Sequence, residues 1–372
     1  MDIRMDGITR AVTRRSWLTG TAAALGLAGC AAQVDAAKWR GFNLQEKFTD
    51  TPAEWAAVDP EWGHANEPFR ESDFQWMAEW GFHFVRLPMS YRCWTDPRDP
   101  LKLIEKPLVE IDRAVEWGRQ YGIHVCLNFH RAPGFCINAG LSPEPWNLWT
   151  DARAQQILAF HWTLFASRYK GIPNSRLSFN LINEPNGCSP AQYAAVIERT
   201  VDAIRKADPH RLVVVDGMFG ETMQPVPELA RLSNAVHSTR GYAPFKLTHY
   251  LAPWAGDLHQ LPTWPTMAGG VAEWDKDRLD ELCILPWQGF ERRGARVFVG
   301  EWGCYNRTPH RVALDWMNDL LTLWKAARWG WALWCLRGSF GVVDSGRTDV
   351  RYENWRGHKL DRRMLELLRE FA

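Results

Sequence analysis

The 372-residue chain has no Cys-x-x-Cys pair and no His-Glu-x-x-His motif, and its 11 histidines do not cluster at metal-ligand spacing. It therefore carries no signature of a structural zinc site or a metal-dependent hydrolase, and neither metal nor cofactor is expected. Excess charge of either sign is also missing. With 44 Lys and Arg against 43 Asp and Glu, the formal net charge is +1. That balance gives no electrostatic case for nucleic acid or for an anionic membrane surface. Beyond the N-terminal segment no apolar run is long enough to cross a bilayer. Neither a Pro/Ser-rich linker nor an internal repeat divides the chain, so one domain over residues 37–372 is the economical reading.

What the chain has in abundance is tryptophan, 22 residues in all. Flat indole faces pack in cores and also stack on the C–H faces of sugars, so the excess favours a sugar site without proving one. The composition, 46% hydrophobic and 23% charged, is that of a globular protein. A chain of this length buries about three quarters of its unfolded surface and needs no staple to hold a core. Cys126 and Cys335 fall in strand-like runs and read as small core residues.

Residues 1–36 read as a targeting segment outside the fold. Arg14-Arg15-Ser16-Trp17-Leu18 precedes a small-residue apolar run, Thr19 to Ala28, too short to span a bilayer comfortably. The arrangement resembles a twin-arginine export signal. Leu27-Ala28-Gly29-Cys30 resembles a bacterial lipobox, in which Cys30 becomes the lipidated first residue. The alternative is a signal cleaved after small residues near Ala36. The expectation is a periplasmic or cell-envelope lipoprotein, or a secreted protein, touching the membrane only through an anchor at Cys30. A monomer is expected.

Past residue 37, strand-like runs alternate with helical periodicity. The strands are expected at Trp39–Leu44, Phe82–Leu87, Ile123–Phe129, Leu177–Ile182, Arg211–Val215, Lys246–His249, Arg296–Val299 and Trp329–Leu336. Helices are expected at Glu71–Trp80, Leu108–Tyr121, Ala152–Tyr169, Pro190–Ala207, Asp275–Arg293, Val312–Ala327 and Lys359–Glu370. The strand interiors are near-continuously apolar, which suits strands covered on both faces of a parallel sheet. Eight such units specify an α/β protein, a single (β/α)8 TIM barrel with its active residues at the C-terminal ends of the strands.

Two of those strand ends carry carboxylates. Leu177-Ser-Phe-Asn-Leu-Ile-Asn-Glu-Pro-Asn186 runs from apolar residues into Asn183, Glu184 and Pro185, and Arg296-Val-Phe-Val-Gly-Glu-Trp-Gly303 stops at Glu301. A carboxylate left uncompensated in such a place costs roughly 3–5 kcal/mol, so it is paired or used. Two of them supply what a carboxylate-pair glycosidase requires: one protonated to release an alkoxide, the other ionised to attack the sugar. Asn-Glu-Pro followed by Gly-Glu-Trp-Gly resembles the acid/base and nucleophile strands of glycoside hydrolase family 5, the cellulase-like family of retaining β-glycosidases. The resemblance covers nearly all of the chain after the N-terminal segment.

It implies a retaining O-glycosyl hydrolase acting on β-linked oligo- or polysaccharides such as β-glucan. Glu184 would be the acid/base and Glu301 the nucleophile. Arg86, after the second strand, matches the family arginine and would hold Glu301 ionised. His130 ends the third strand, Asn183 precedes the acid/base, and Trp334 on the eighth would floor the sugar. His249 and Tyr250 stand for the family's His-x-Tyr pair after strand six, but are adjacent rather than spaced by one. Trp146, Trp254, Trp264 and Trp302 are weaker subsite candidates. The alternatives are an exo-acting β-mannosidase or β-glucosidase of the same family, and a non-catalytic carbohydrate-binding barrel.

Overall fold

Strands form where runs of β-branched and aromatic residues can be covered on both faces. The computed structural model describes residues 34–51, 65–138 and 142–372. Its central strands are β1 (Arg40–Asn43), β2 (Phe84–Ser90), β3 (His124–Ala132), β4 (Leu177–Asn180), β5 (Val213–Asp216), β6 (Ala235–Gly241), β7 (Val297–Trp302) and β8 (Gly330–Leu333). All pair in parallel, in the order β2-β1-β8-β7-β6-β5-β4-β3, and β3 returns to β2 to close the ring. Around it lie α1 (Glu71–Glu79), α2 (Glu105–Tyr121), α3 (Ala152–Arg168), α4 (Pro190–Ala207), α5 (Phe245–Thr248), α6 (Lys276–Leu279), α7 (Leu285–Glu291), α8 (His310–Ala327) and α9 (Arg362–Glu370). The expected (β/α)8 barrel is the fold.

The helices follow their sequence signals. α4 buries Tyr193, Val196, Ile197, Thr200, Val201 and Ile204 on one stripe. Ser189 and Gln192 cap it reciprocally with Pro190 in its first turn, a capping box that satisfies donors the helix leaves unpaired. α2 ends at Gly122, which adopts the left-handed conformation that terminates helices at little cost.

The expectation for the sixth strand was wrong. Lys246–His249 falls on α5 and the residue after it, and the strand is the preceding Ala235–Gly241. That stretch, Ala-Val-His-Ser-Thr-Arg-Gly, carries polar residues on both faces, Ser238 and Arg240 inward and His237 and Thr239 outward, so it lacks the apolar run that marks its neighbours. The helix expected over Asp275–Arg293 is likewise divided, α6 and α7 being joined by a π-helical stretch, Asp280–Ile284.

Side chains alternate across a strand, and the alternation here sorts core from site. Outward residues such as Val85, Leu87, Leu127, Phe179, Val213, Val299 and Leu333 join the apolar faces of the helices in the main core. Inward residues near the strand starts, Phe84, Cys126, Val214, Val236, Phe298 and Ala332, form a small second core with Trp39 that plugs the barrel floor. Two residues further along the same strands the inward positions are Arg86, Asn128, Asp216, Ser238, Gly300 and Trp334. Apolar floor gives way to a buried polar layer below the mouth.

Candidate active site

β4 ends at Asn180, and the chain stays beside β3 through the Asn183 N–H, which donates to the Phe129 carbonyl at 3.0 Å. Glu184 then takes a left-handed backbone conformation, φ +44°. A non-glycine residue there carries strain of about 1–3 kcal/mol, which its surroundings must offset. Its N–H donates to Oδ2 of Asp216 at 3.0 Å, and the next residue, Pro185, accepts at its carbonyl from the Phe219 N–H at 3.0 Å. The turn directs the Glu184 side chain into the mouth. Glu301 lies within β7, where the register against β6 shifts between Val299 and Glu301. Such a bulge re-aims a side chain locally.

Two buried arginines organise the carboxylates. Arg86 Nη1 donates to Oε1 of Glu301 at 2.5 Å and to Oδ1 of Asn43 at 3.0 Å; Nη2 donates to Oδ1 of Asn183 at 2.7 Å and Nε to Oδ1 of Asn180 at 2.8 Å. Arg240, an inward residue of β6, donates from Nε to Oε1 of Glu184 at 2.9 Å, and its Nη2 is 3.2 Å from Oε1 of Glu301. The same Nη2 reaches Asp216 Oδ2 at 2.5 Å and Asn183 Oδ1 at 2.9 Å. The Tyr242 hydroxyl donates to the other Glu301 oxygen at 3.3 Å.

The two sites are electrostatically tied. Burial, then the charge of Glu301, pushes the Glu184 carboxyl up to about 7, although Arg240 draws it down. Burial together with the charges of Glu301 and Glu184 pushes the Tyr242 hydroxyl upward, so it stays a donor. Burial holds His249 down at about 4. Burial and the Arg86 and Arg240 charges hold His130 well below its usual value. Both imidazoles are therefore neutral near neutral pH.

Glu184, Glu301, His130, His249 and Trp334 all line one cleft of about 350 Å³, with Phe48, Tyr242, Trp254 and Phe340 among its other walls. His130 lies roughly parallel to Trp334, ring centroids 5.7 Å apart, and its Nδ1 has no partner among the described residues. Asn183 sits beneath the pair with both guanidiniums on its carbonyl oxygen, and its amide nitrogen has no partner among the described residues. His249 reaches the cleft from the residue after α5, its Nδ1 2.9 Å from the Thr248 hydroxyl.

Tyr250 is not among the residues lining the cleft; Tyr242 occupies the wall and touches Glu301. The misplacement follows from the strand-six error, because the true strand end is Arg240-Gly241-Tyr242. Among the weaker tryptophans, only Trp254 lines the cleft. Trp302 is fully buried against Trp316, Trp324 and Trp331, Trp264 donates to Asp319, and Trp146 packs against the Arg153 guanidinium. Residue-by-residue reading missed Arg240, Asp216 and Tyr242. For the two charged residues the available signal was positional: Asp216 and Arg240 stand at inward registers, two and four residues beyond the apolar floor residues Val214 and Val236.

A closed parallel barrel bearing a buried carboxylate pair at the C-terminal rim defines a (β/α)8 glycoside hydrolase. The comparisons with known proteins give the family: the sequence profile of cellulase, glycosyl hydrolase family 5, matches residues 31–339. The chain belongs to that family and is a retaining β-glycosidase. It is 23% identical over 314 residues to endoglucanase C of Acetivibrio thermocellus, covering 78% of this chain and 90% of that one. It is 26% identical over 256 residues to cellodextrinase A of Ruminococcus flavefaciens, covering 67% and 73%. Among solved structures, a glycoside hydrolase 41% identical superposes with a TM-score of 0.79 over 90% of this chain and 99% of the other. Endoglucanase Cel5A of Thermotoga maritima, 21% identical, superposes with a TM-score of 0.70 over 90% and 98%.

Proposed function

We propose that Glu184 is the acid/base and Glu301 the nucleophile of a double-displacement β-glycosidase. The observation that carries this reading is that both glutamates open into one cleft and share Arg240, and that burial there pushes the Glu184 carboxyl up to about 7. A general acid must hold its proton near the working pH, and a nucleophile must not. Arg86 keeps Glu301 ionised and aimed by its charge-assisted hydrogen bond. The spare amide donor of Asn183 suits the sugar 2-hydroxyl, whose hydrogen bond strengthens at the transition state. Trp334 provides the floor of the sugar site, and His130 and His249, neutral, bind hydroxyls.

The substrate class is a β-glucan or its oligosaccharides, supported by relatives named as endoglucanases and a cellodextrinase. The walls contributed by Trp254, Ala255 and Leu258 narrow the cleft on one side, which favours short substrates and an exo-acting β-glucosidase or β-mannosidase as the second reading. The enzyme acts as a monomer without a cofactor. Arg14, Arg15 and Cys30 lie outside the described residues. Export by the twin-arginine route and a lipid at Cys30 are proposed from the sequence; an intact mass of the native protein matching an unlipidated start near Ala36 contradicts the anchor.

The catalytic assignment is tested on aryl β-glycosides and natural oligosaccharides in parallel. Glu184→Ala should spare glycosylation by substrates with good leaving groups, and azide should restore turnover by attacking the intermediate. Glu301→Ala should abolish hydrolysis of both kinds. Equal, modest losses from the two changes refute the roles.

A further inference from the structure

Three buried carboxylates and two buried guanidiniums meet below the cleft: Glu184, Glu301 and Asp216 with Arg86 and Arg240. Arg86 touches one member of the catalytic pair. Arg240 touches both, from two nitrogens of one planar fork. Its own position is fixed independently of them, by Asp216, by the Asn183 carbonyl oxygen and by the Ser238 hydroxyl at 2.9 Å. The residue before the nucleophile leaves room for it, because a Cβ on Gly300 would lie 2.9 Å from Nη1 of Arg240. Nor is this the side chain that the family pattern implies at that strand end, where a histidine precedes the tyrosine by two.

Resting on the assignment of Glu184 and Glu301 above, we infer that Arg240 is the shared counter-ion of the catalytic pair, a positioning residue that neutralises the nucleophile before bond cleavage and the acid/base after it. The charges balance in both states. With Glu184 protonated, Glu301 and Asp216 carry two negative charges against the two arginines. In glycosylation a Glu301 oxygen bonds to the anomeric carbon. The electron pair of the broken C–O bond leaves with the aglycone oxygen, which takes the Glu184 proton. Glu301 becomes a neutral ester and Glu184 a carboxylate, so the cluster is again neutral. One negative charge has passed from Glu301 to Glu184, between two oxygens that Arg240 already contacts. A fixed cation is preorganised for that transfer, whereas a neutral imidazole is not.

Facing Glu184 are Glu301 on β7, Asp216 on β5, Arg240 on β6 and the neutral Tyr242 and His130, with Arg86 on β2 acting through Glu301. Removing Arg240 leaves Glu301 its second guanidinium and Glu184 none. A neighbouring opposite charge displaces a carboxyl by about 1–3 pH units. R240Q should therefore move the basic limb of kcat/KM upward by about one unit or more. It should also move upward the acidic limb of deglycosylation, read as reactivation of a 2-fluoroglycosyl-trapped enzyme. R240K, which keeps the charge, should hold both limbs near those of the parent. A structural role alone lowers rates at every pH and leaves the limbs in place; that outcome overturns the inference. If R240Q does not fold, R240M, uncharged at every pH, must show the same upward shift, and unmoved limbs refute the idea equally. E184Q is run beside them. If its kcat/KM keeps the basic limb, the acid/base assignment itself fails; if it loses the limb while R240Q leaves it unmoved, only the role of Arg240 fails.

Discussion

Glu184 keeps its proton to higher pH than a solvated glutamate because water is excluded and Glu301 is close, and this has a consequence for folding as well as for catalysis. Its carboxyl titrates at about 7 in the folded chain, against about 4.3 when unfolded. Between those values the folded state holds a proton that the unfolded state has released, so stability falls as pH rises through the window. Glu184→Gln removes this dependence. Thermal or urea unfolding should show the variant gaining on the parent between about pH 4.5 and 7, by on the order of 3 kcal/mol at the upper end. A difference that stays flat across the window contradicts the burial argument. In catalysis the same titration predicts that the parent's kcat/KM declines above about pH 7, where the acid is lost.

At the scale of elements, the acid/base is held between β4 and α4. The turn carrying Glu184 is followed directly by the capping box at Ser189, and the Tyr193 hydroxyl on α4 donates to the Asp216 carbonyl at 3.0 Å. A helix start fixed by reciprocal hydrogen bonds and by Pro190 therefore anchors the Glu184 loop from its C-terminal side. Ser189→Ala should lower stability by about 1 kcal/mol, measured as a denaturation midpoint with unchanged slope. Because α4 is packed along its whole buried stripe, kcat/KM should stay within a few-fold of the parent. A loss of activity far larger than the loss of stability means that the cap sets Glu184 directly. The sixth strand teaches the complementary point. Its inward residues are Val236, Ser238 and Arg240, and the last two serve the site, so its local pattern is polar although it is buried throughout.

The whole molecule decides what can reach the pair. Loops after β6 bring Phe245, His249, Trp254 and Leu258 to one side of the cleft, and Phe48 and His130 stand on the other with Trp334. A cleft of about 350 Å³ falls within the usual range of small-ligand sites, in keeping with the short-substrate reading proposed above. Aryl β-glycosides and cello-oligosaccharides should be turned over with kcat/KM at least about tenfold above that for a soluble cellulose polymer, equivalent to roughly 1.4 kcal/mol at the transition state. Chromatographic product analysis and polymer viscosity check this: a rapid fall in viscosity with few reducing ends reverses the expectation. Neither assay should respond to chelator, since the proposed double displacement runs on Glu184 and Glu301 and calls on no metal ion.

The sequence alone determined the barrel, because the apolar strand runs and the amphipathic helices between them must each be covered by the other. It also marked Glu184 and Glu301 as the carboxylates ending two strands, because a charged residue closing an apolar run is legible without knowing its neighbours. Arg86, His130, Asn183 and Trp334 were picked out instead by the resemblance to family 5, each matched to a strand end. What only the tertiary structure decided is which groups meet from different strands. Ser-Thr-Arg-Gly-Tyr reads as a loop until the pleat turns Arg240 inward between β5 and β7. Asp216 also closes an apolar run, but no family motif surrounds it, and its part in the site shows only where it accepts from Arg240 and from the Glu184 backbone. Tyr242 displaced Tyr250 at the cleft for the same reason. Local pattern records how a segment is covered, whereas closure of the ring fixes the register that brings one cation within reach of both glutamates.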